Sequence, residues 1–291
     1  MIAIFEKYGY APTDIEAKVA AVKAQAGNWC NKNVWKDSLG LIDLTSLTVS
    51  DTPTQIAAMT EKVNRFNDVY PDYPKPASIC VYPNFAKTVK EAREDKDVHI
   101  TIVGGCFPAS QSFLEVKVAE CLKAVEVGAD EVDIVLALNA FLDGRHDDAA
   151  KEISEIKKAI TSVNGNVHLK VILETGALRS HEEIAVASFL AMEAGADFIK
   201  TSTGKIGVSA TPEAAYIMCE CIAAFISKGG RKVGFKPAGG IRSAEDASLY
   251  YGIVDTVLGK EWLTPQWFRF GASSMANNLL SALEGTTVKY Y

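Results

Sequence analysis

The sequence predicts an α/β fold, a (β/α)8 TIM barrel with an N-terminal helical extension. Strand-like apolar runs alternate with helical segments along nearly the whole chain, which is typical of a parallel sheet with crossover helices. There are eight such runs, and a chain of 291 residues is long enough for one large barrel. We therefore expect a single TIM-barrel domain over residues 1–291, with a doubly wound open sheet as the alternative.

The elements follow in order along the chain. The predicted strands are 39–43, 77–82, 98–103, 131–136, 167–173, 198–202, 232–236 and 254–258. Three helices between them begin at capping sequences, namely Thr52-Pro53, Ser112-Phe113 and Thr211-Pro212. Gly128 and Gly195 each stand just before Ala-Asp and a new strand, which marks the end of a helix.

Residues 1–38 precede the first predicted strand and form the predicted extension. Thr13 to Glu16 have the pattern of a capping box, and Ile15, Val19 and Val22 follow at helical spacing. We expect this helix to cover the N-terminal face of the barrel in a packing role. At the other end, residues 285–291 are expected to form a mobile C-terminal tail.

The composition argues against several classes of partner. A net charge of −6 does not favour a broad nucleic-acid surface, and no stretch approaches the roughly 18 apolar residues of a membrane helix. The six cysteines have no regular spacing, and the first residues lack the pattern of a secretory signal. We expect a cytoplasmic protein with free thiols that binds neither nucleic acid nor membrane.

A lysine inside an apolar strand is the first sign of chemistry. Lys200 lies in Phe-Ile-Lys-Thr-Ser-Thr-Gly-Lys at 198–205. Burying an ammonium costs free energy, so such a lysine has a lowered pKa or binds an anion. A lysine with a lowered pKa is a nucleophilic amine that can form a Schiff base. The alternative is a strand-end lysine that extends to a carboxylate and does no chemistry.

A second lysine and an aspartate fit the interpretation of Lys200 as a nucleophilic amine. Lys236 ends another predicted strand before a glycine turn, and two cations directed into one space disfavour each other's charge. Asp133 lies in the apolar run Glu-Val-Asp-Ile-Val and could orient Lys236 or move protons through a water. The alternative for Asp133 is a structural ion pair.

Three glycine-containing turns indicate a phosphate site. They are residues 202–205, Gly239-Gly240, and 271–274 before the last helix. Backbone N–H groups of such turns and of helix N-termini bind anions, and barrels often place phosphate after their last strands. The four histidines fall at strand beginnings or on helices, and the dinucleotide fingerprint is absent. We expect no metal and no organic cofactor.

The two lysine segments, 198–205 and Gly-Phe-Lys-Pro-Ala-Gly-Gly-Ile-Arg at 234–242, resemble the lysine motifs of deoxyribose-phosphate aldolase. Segments 43–47, 79–83, 131–135, 169–176 and 270–274 resemble that family in the same order, so the resemblance covers most of the chain. It implies a class I aldolase on a TIM barrel. Such an enzyme cleaves 2-deoxy-D-ribose 5-phosphate reversibly to D-glyceraldehyde 3-phosphate and acetaldehyde, in deoxyribonucleotide catabolism.

The resemblance also implies roles for individual residues. Lys200 would be the Schiff-base nucleophile, Lys236 the lysine that lowers its pKa, and Asp133 the acid/base. The residues implied in binding substrate and phosphate are Asp43, Thr45, Cys80, Thr203, Gly204, Lys205, Gly239, Gly240, Ser273 and Ser274. Lys170 and Tyr291 are expected in a proton relay, and a homodimer is expected. Cys80 and Tyr291 also fit structural readings, as a buried strand residue and as part of the tail.

One position departs from the family pattern. Many members have asparagine where Ala137 stands, so no role is transferred to it. Two other functions stay open: a class I aldolase or transaldolase for a different sugar phosphate, and a catalytically silent phosphosugar-binding barrel. The second lysine argues against the silent barrel, because a structural ion pair does not need two ammonium groups in one pocket.

Overall fold

Eight parallel strands curve into a barrel in the computed structural model, which describes residues 2–291. The strands are β1 (Ile42–Thr45), β2 (Ser78–Val81), β3 (His99–Gly104), β4 (Glu131–Val135), β5 (His168–Ile172), β6 (Phe198–Lys200), β7 (Gly234–Lys236) and β8 (Phe270–Ala272). Their order in the sheet is β7-β6-β5-β4-β3-β2-β1-β8. Parallel bridges from Phe235 to Phe268 and from Ala238 to Gly271 join the two edges. The predicted TIM barrel is confirmed.

Helices surround the barrel and connect its strands. They are α1 (Ile2–Tyr8), α2 (Ile15–Ala24), α3 (Lys32–Leu39), α4 (Pro53–Asn64), α5 (Phe66–Val69), α6 (Ala86–Ala92), α7 (Leu114–Glu126), α8 (Leu138–Leu142), α9 (His146–Val163), α10 (His181–Glu193), α11 (Pro212–Ser227), α12 (Ala244–Leu258) and α13 (Ser274–Glu284). Among the described residues, no helix is both long and apolar enough to cross a membrane.

Two of the three predicted helix caps form. Thr52 and Gln55 make a reciprocal capping box at α4, and the Thr211 side chain accepts a hydrogen bond from the N–H of Ala214 at α11. The third prediction is wrong, because α7 begins at Leu114 and has Phe113, not Ser112, as its N-terminal flanking residue. The chain thus enters α7 without a side-chain cap.

The predicted eighth strand, 254–258, is wrong. These residues form the last turn of α12, and β8 lies at Phe270–Ala272. Val254 and Leu258 are four residues apart and both buried, so they lie on one face of a helix. A short apolar run does not by its periodicity distinguish a strand from a buried helix. The true strand has only three residues, which is too short to show an alternating pattern.

The extension contains the predicted helix, with Ile15, Val19 and Val22 buried. Its capping box does not form, since Asp14 precedes the helix in a left-handed conformation without a side-chain cap. Asp37 of α3 lines a cavity at the N-terminal ends of the strands, so the extension reaches that face in part, and α3 packs against α12 and α13. Helix α2 packs against the outer helices α11 and α12. For example, Lys18 Nζ lies 2.8 Å from a carboxylate oxygen of Glu220 on α11.

The C-terminal segment 285–291 lies against α13 and α5. The N–H groups of Tyr290 and Tyr291 donate to Oδ1 of Asn277 at 2.9 and 3.0 Å. The Tyr291 ring stacks on Phe66, with the ring centroids 5.7 Å apart. The Tyr291 hydroxyl is buried and has no hydrogen-bond partner among the described residues.

Candidate active site

The two lysines of the sequence motifs stand side by side at the C-terminal ends of their strands. Lys200 ends β6, Lys236 ends β7, and they are register partners. Two residues earlier, Phe198 is the partner of Gly234. A Cβ on Gly234 would lie 2.3 Å from the Phe198 ring, so only glycine leaves room for that ring below the lysines.

Asp133, in the middle of β4, receives hydrogen bonds from three lysines. Its Oδ2 accepts from Lys200 Nζ at 2.8 Å and from Lys236 Nζ at 2.7 Å. Its Oδ1 accepts from Lys170 Nζ, on the register-paired position of β5, at 3.2 Å. The side chain of Asp133 is fully buried, so these donors replace water around its charge.

A second group of charges lies deeper in the barrel. Arg269, just before β8, donates through Nη1 to Asp43 Oδ1 at 2.6 Å and through Nη2 to Glu131 Oε1 at 2.9 Å. Asp43 also forms an ion pair with Lys236, and Glu131 forms one with Lys170. The two groups are therefore joined into one network that extends across the barrel interior.

We call this network the buried charge cluster. It contains Asp43, Glu131, Asp133, Lys170, Lys200, Lys236 and Arg269. With all seven groups ionised, four cations face three carboxylates and one positive charge is in excess. Loss of a proton from one lysine makes the cluster neutral. Charge balance in a water-poor interior thus favours one neutral amine.

Lys200 is the lysine whose environment favours the neutral form. Burial is the main cause that lowers its pKa below 10.5, and the Lys236 ammonium lowers it further. Together they outweigh the Asp133 carboxylate, which acts in the opposite direction. Lys200 contacts one carboxylate, whereas Lys236 contacts two.

Lys236 and Asp133 are held in their charged forms. Burial alone would lower the pKa of Lys236, but the Asp133 and Asp43 carboxylates outweigh it and raise that pKa. Burial alone would raise the pKa of Asp133, but the charges of Lys170, Lys200 and Lys236 outweigh it and lower that pKa. The arrangement therefore keeps a charged lysine beside a lysine that loses its proton more easily.

A cavity of about 400 Å³ opens above Lys200 at the C-terminal ends of the strands. Its lining includes Thr45, Thr203, Gly204, Lys205, Gly239, Gly240, Ser273 and Ser274, all of them predicted binding residues. Arg242, Ser46 and Thr48 also line it. Besides Lys200, the walls thus combine two basic side chains, hydroxyl groups and glycine turns, which suits a small anionic ligand.

The glycine turns of this wall depend on left-handed backbone. Gly239 has φ +82°, and a Cβ there would lie 2.7 Å from the Ser209 side chain. Gly204, in the turn after β6, has φ +75°. A Cβ on Gly239 would lie 3.2 Å from the Cα of Gly204, so the two turns are in close contact. Ser273 flanks α13, and its side chain accepts no hydrogen bond from the first turn of that helix. The end of α13 therefore faces the cavity without a capping side chain.

Several predicted site residues lie outside the cavity lining. Asp133, Lys170 and Lys236 lie beneath Lys200 in the buried charge cluster. Asp43 is fully buried and bound by Lys236 and Arg269. Cys80 is fully buried and packs with Leu47 and Val103.

Tyr291 lies against Phe66 at the outer helices, outside the cavity lining and outside the buried charge cluster.

Another cavity, of about 490 Å³, lies at the opposite, N-terminal ends of the strands. His99 and His168 line it, and Nδ1 of His99 lies 2.9 Å from Oε1 of Glu131. Neither Lys200 nor Lys236 reaches this cavity. The smaller cavity is the better candidate site, because only it contains the amine with the lowered pKa.

Sequence reasoning missed Arg269 and the role of Glu131. Glu131 was visible as an acidic residue in an apolar run beside Asp133. No pattern in the sequence marks Arg269, because the strand that follows it, β8, has only three residues.

Known proteins resemble this chain in sequence and in fold. The sequence profile of the DeoC/LacD family aldolases matches residues 39–251, which is most of the chain. This chain belongs to that aldolase family. The resemblance to deoxyribose-phosphate aldolase noted in the sequence is therefore confirmed at the level of the family.

Individual relatives cover nearly the whole chain. A Caenorhabditis elegans protein with the name "Putative deoxyribose-phosphate aldolase" is 39% identical over 276 residues, which are 93% of this chain and 88% of that protein. A deoxyribose phosphate aldolase from Aeropyrum pernix, described as tetrameric, superposes with a TM-score of 0.68 at 26% identity over 90% of this chain and 96% of its own. The aldolase QR15 gives a TM-score of 0.67 at 29% identity, over 85% of this chain and 96% of its own.

Proposed function

We propose that this protein is a class I aldolase that cleaves 2-deoxy-D-ribose 5-phosphate to acetaldehyde and D-glyceraldehyde 3-phosphate through a Schiff base on Lys200. The observation that supports it most directly is the position of Lys200. Its amine has a lowered pKa and is the member of the buried charge cluster that lines the cavity. Relatives that span nearly the whole chain are named for this activity.

The first step is attack by neutral Lys200 on the aldehyde carbon C1 of the open-chain sugar. A carbinolamine forms, and its hydroxyl group takes up a proton from solvent and leaves as water, which gives an iminium ion. The Lys236 ammonium stays charged beside Lys200 because it bonds both Asp133 and Asp43. It thus favours the unprotonated amine before the attack without competing as a nucleophile.

The second step breaks the bond between C2 and C3. The iminium accepts the electron pair of that bond, the C3 hydroxyl loses its proton, and C3 leaves as the aldehyde of D-glyceraldehyde 3-phosphate. Because three lysines lower the pKa of Asp133, this carboxylate does not readily keep a proton. We assign it the role of taking the proton through a water that the Lys236 ammonium helps to orient, and of passing that proton on in the third step.

The third step returns the proton. The enamine left on Lys200 gains a proton at C2, and water then releases acetaldehyde and the free amine. The sequence assigns Lys170 and Tyr291 to a proton relay. Lys170 donates to Asp133 and could supply this route, whereas Tyr291 would have to leave its contact with Phe66.

The phosphate of the substrate would occupy the rim of the cavity. Lys205 and Arg242 supply positive charge, and the turns at Gly204 and Gly239-Gly240 together with Ser273 and Ser274 supply hydrogen-bond donors. The site calls for no metal or organic cofactor in these steps. The homodimer, the cytoplasmic location and the role in deoxyribonucleotide catabolism stay predictions.

The experiment that tests the proposal is imine trapping. The protein is incubated with acetaldehyde and a chelator, reduced with borohydride and digested, and the modified peptide is mapped by mass spectrometry. We expect one ethyl group on Lys200, and acetaldehyde release from 2-deoxy-D-ribose 5-phosphate in a coupled assay. Labelling at Lys205 or Lys236 would overturn the assigned roles. Absence of specific labelling and of turnover would favour a silent phosphosugar-binding barrel.

A further inference from the structure

Glu174 is a buried carboxylate that the proposed chemistry does not use. It lies two residues after β5 and is 3% exposed. Its φ is 51°, in the left-handed region that side chains other than glycine rarely adopt. Within residues 2–291, no lysine, arginine or histidine forms an ion pair with it. A buried charge in a strained conformation persists only where its surroundings fix it, and such residues cluster at functional sites.

Both carboxylate oxygens of Glu174 are occupied by one residue of the cavity wall. Oε1 accepts from the backbone N–H of Thr203 at 3.1 Å, and Oε2 accepts from the Thr203 hydroxyl. The same hydroxyl oxygen accepts from the N–H of Lys205 at 3.0 Å. A continuous chain of hydrogen bonds thus runs from Glu174 through Thr203 to Lys205 and spans Gly204.

The turn that contains Glu174 supports the loop after β6 at two more points. The N–H of Thr175 donates to the carbonyl of Thr201 at 2.9 Å. At Gly176, an added Cβ would lie 2.2 Å from the carbonyl oxygen of Val208, so the two backbones touch. The turn after β5 therefore supports the β6 loop from residue 201 to residue 208.

Lys200 has separate support. Its ammonium is held by Asp133, and its backbone carbonyl accepts from the N–H of Leu173, just after β5. Glu174 makes no hydrogen bond to the Lys200 side chain. Removing the Glu174 carboxylate should thus disturb the turn at 203–205 more than the reacting amine.

We propose that Glu174 is a positioning residue that holds the turn 203–205 in the shape that receives the substrate phosphate. It thereby sets the preference for a phosphorylated sugar over the unphosphorylated one. This inference rests on the proposed aldolase function and deepens it. The N–H groups of Thr203 and Lys205 are used inside this hydrogen-bond chain, so the N–H of Gly204 between them is the one that the turn directs at the anion. Its direction depends on Thr203, which Glu174 fixes through the N–H and the hydroxyl group.

The test compares two substrates, 2-deoxy-D-ribose 5-phosphate and 2-deoxy-D-ribose, with the wild-type protein and Glu174→Gln. Glutamine keeps the shape but removes one acceptor and the charge. For the phosphorylated sugar we expect kcat/KM to fall about tenfold to a hundredfold, mostly through KM. For the unphosphorylated sugar we expect a change of less than about twofold. Imine trapping of Lys200 by acetaldehyde should be unchanged.

Two further variants keep the test decisive. Glu182→Gln, at an exposed position in the first turn of α10, is the matched control and should behave as wild type. Thr203→Val breaks the hydrogen bond between the two side chains from the Thr203 side and should give the same selectivity change. It replaces Glu174→Gln if that variant does not fold. The double variant should lose little more than either single variant.

The outcomes separate the two proposals. Equal losses for both sugars, or no loss for either, would overturn the role of Glu174 while Lys200 labelling still supports the aldolase. A wild-type protein with no labelling and no turnover on either sugar would overturn the proposed function, and the role of Glu174 with it.

Discussion

Lys200 and Lys236 occupy paired positions on neighbouring strands and donate to the same oxygen, Oδ2 of Asp133, at 2.8 and 2.7 Å. One carboxylate oxygen does not balance two ammonium groups. Lys236 has Asp43 as a second partner, and Lys200 has none among the described residues. The difference in partners, rather than in burial, explains why the two adjacent lysines have pKa values shifted in opposite directions.

Replacing Lys200 by methionine should abolish turnover and leave the fold intact. The variant loses the nucleophile, so we expect kcat to fall by at least about a thousandfold. The remaining cluster has three cations and three carboxylates and is balanced, so thermal unfolding should occur near the wild-type temperature. Coupled acetaldehyde release and circular dichroism melting measure the two effects. Turnover within tenfold of wild type would contradict the assignment of the nucleophile.

The pH dependence should follow the amine of Lys200. Since its pKa is lowered from 10.5, the neutral form appears at lower pH than in the unfolded chain, and kcat/KM should rise as pH rises through that value. Lys236→Met removes a neighbouring positive charge, so the pKa of Lys200 should rise and the rising limb should move to higher pH.

A movement of that limb by one pH unit lowers the rate at neutral pH about tenfold. Activity of Lys236→Met should therefore recover in part at alkaline pH, measured as kcat/KM from pH 5 to 10. Lys87→Met, which removes an exposed lysine paired with Glu91 on α6, is the control. A loss of equal size at every pH would instead assign Lys236 to proton transfer alone.

Replacing Asp133 by asparagine should separate imine formation from bond cleavage. The carboxylate that takes the C3 hydroxyl proton through a water is lost, so we expect kcat to fall about a hundredfold to ten-thousandfold. The positive charges of Lys170 and Lys236 remain, so the pKa of Lys200 should fall further and its amine stay reactive. Borohydride trapping with acetaldehyde should still label Lys200. Loss of both labelling and turnover, in a folded variant, would mean that Asp133 is needed for the nucleophile itself.

The sequence predicts which residues meet at this site because a parallel barrel brings the C-terminal ends of its strands together. Lys200 and Lys236 could be placed from their apolar strands and glycine turns, and Asp133 from an acidic residue within an apolar run. The partners of each charge depend on the register between strands. Register is a tertiary property, so the ion pairs of Asp43 with Lys236 and Arg269 could not be predicted from the sequence.

The closure of the barrel was harder to predict. β8 has three residues, and its place in the sheet depends on pairing with β1 rather than on its own pattern. The apolar pattern at 254–258 fits a strand as well as a buried helix. Only the packing of these residues shows that they are the end of α12. Because Arg269 enters the interior only through this closure, its contacts could not be derived from the sequence.

Arg269 is expected to stabilise the protein through Asp43 and Glu131. Arg269→Met keeps much of the volume but leaves both buried carboxylates short of a cation, which typically costs about 3–5 kcal/mol when one partner of a buried pair is removed. Urea unfolding should show this loss in the free energy of unfolding. Arg65→Met, which removes an exposed arginine paired with Glu61 and Glu94, should show no measurable loss. Because Arg269 does not line the cavity above Lys200, the folded fraction of Arg269→Met should still be labelled there. Equal stability of the two variants would mean that Lys170 and Lys236 alone balance the carboxylates.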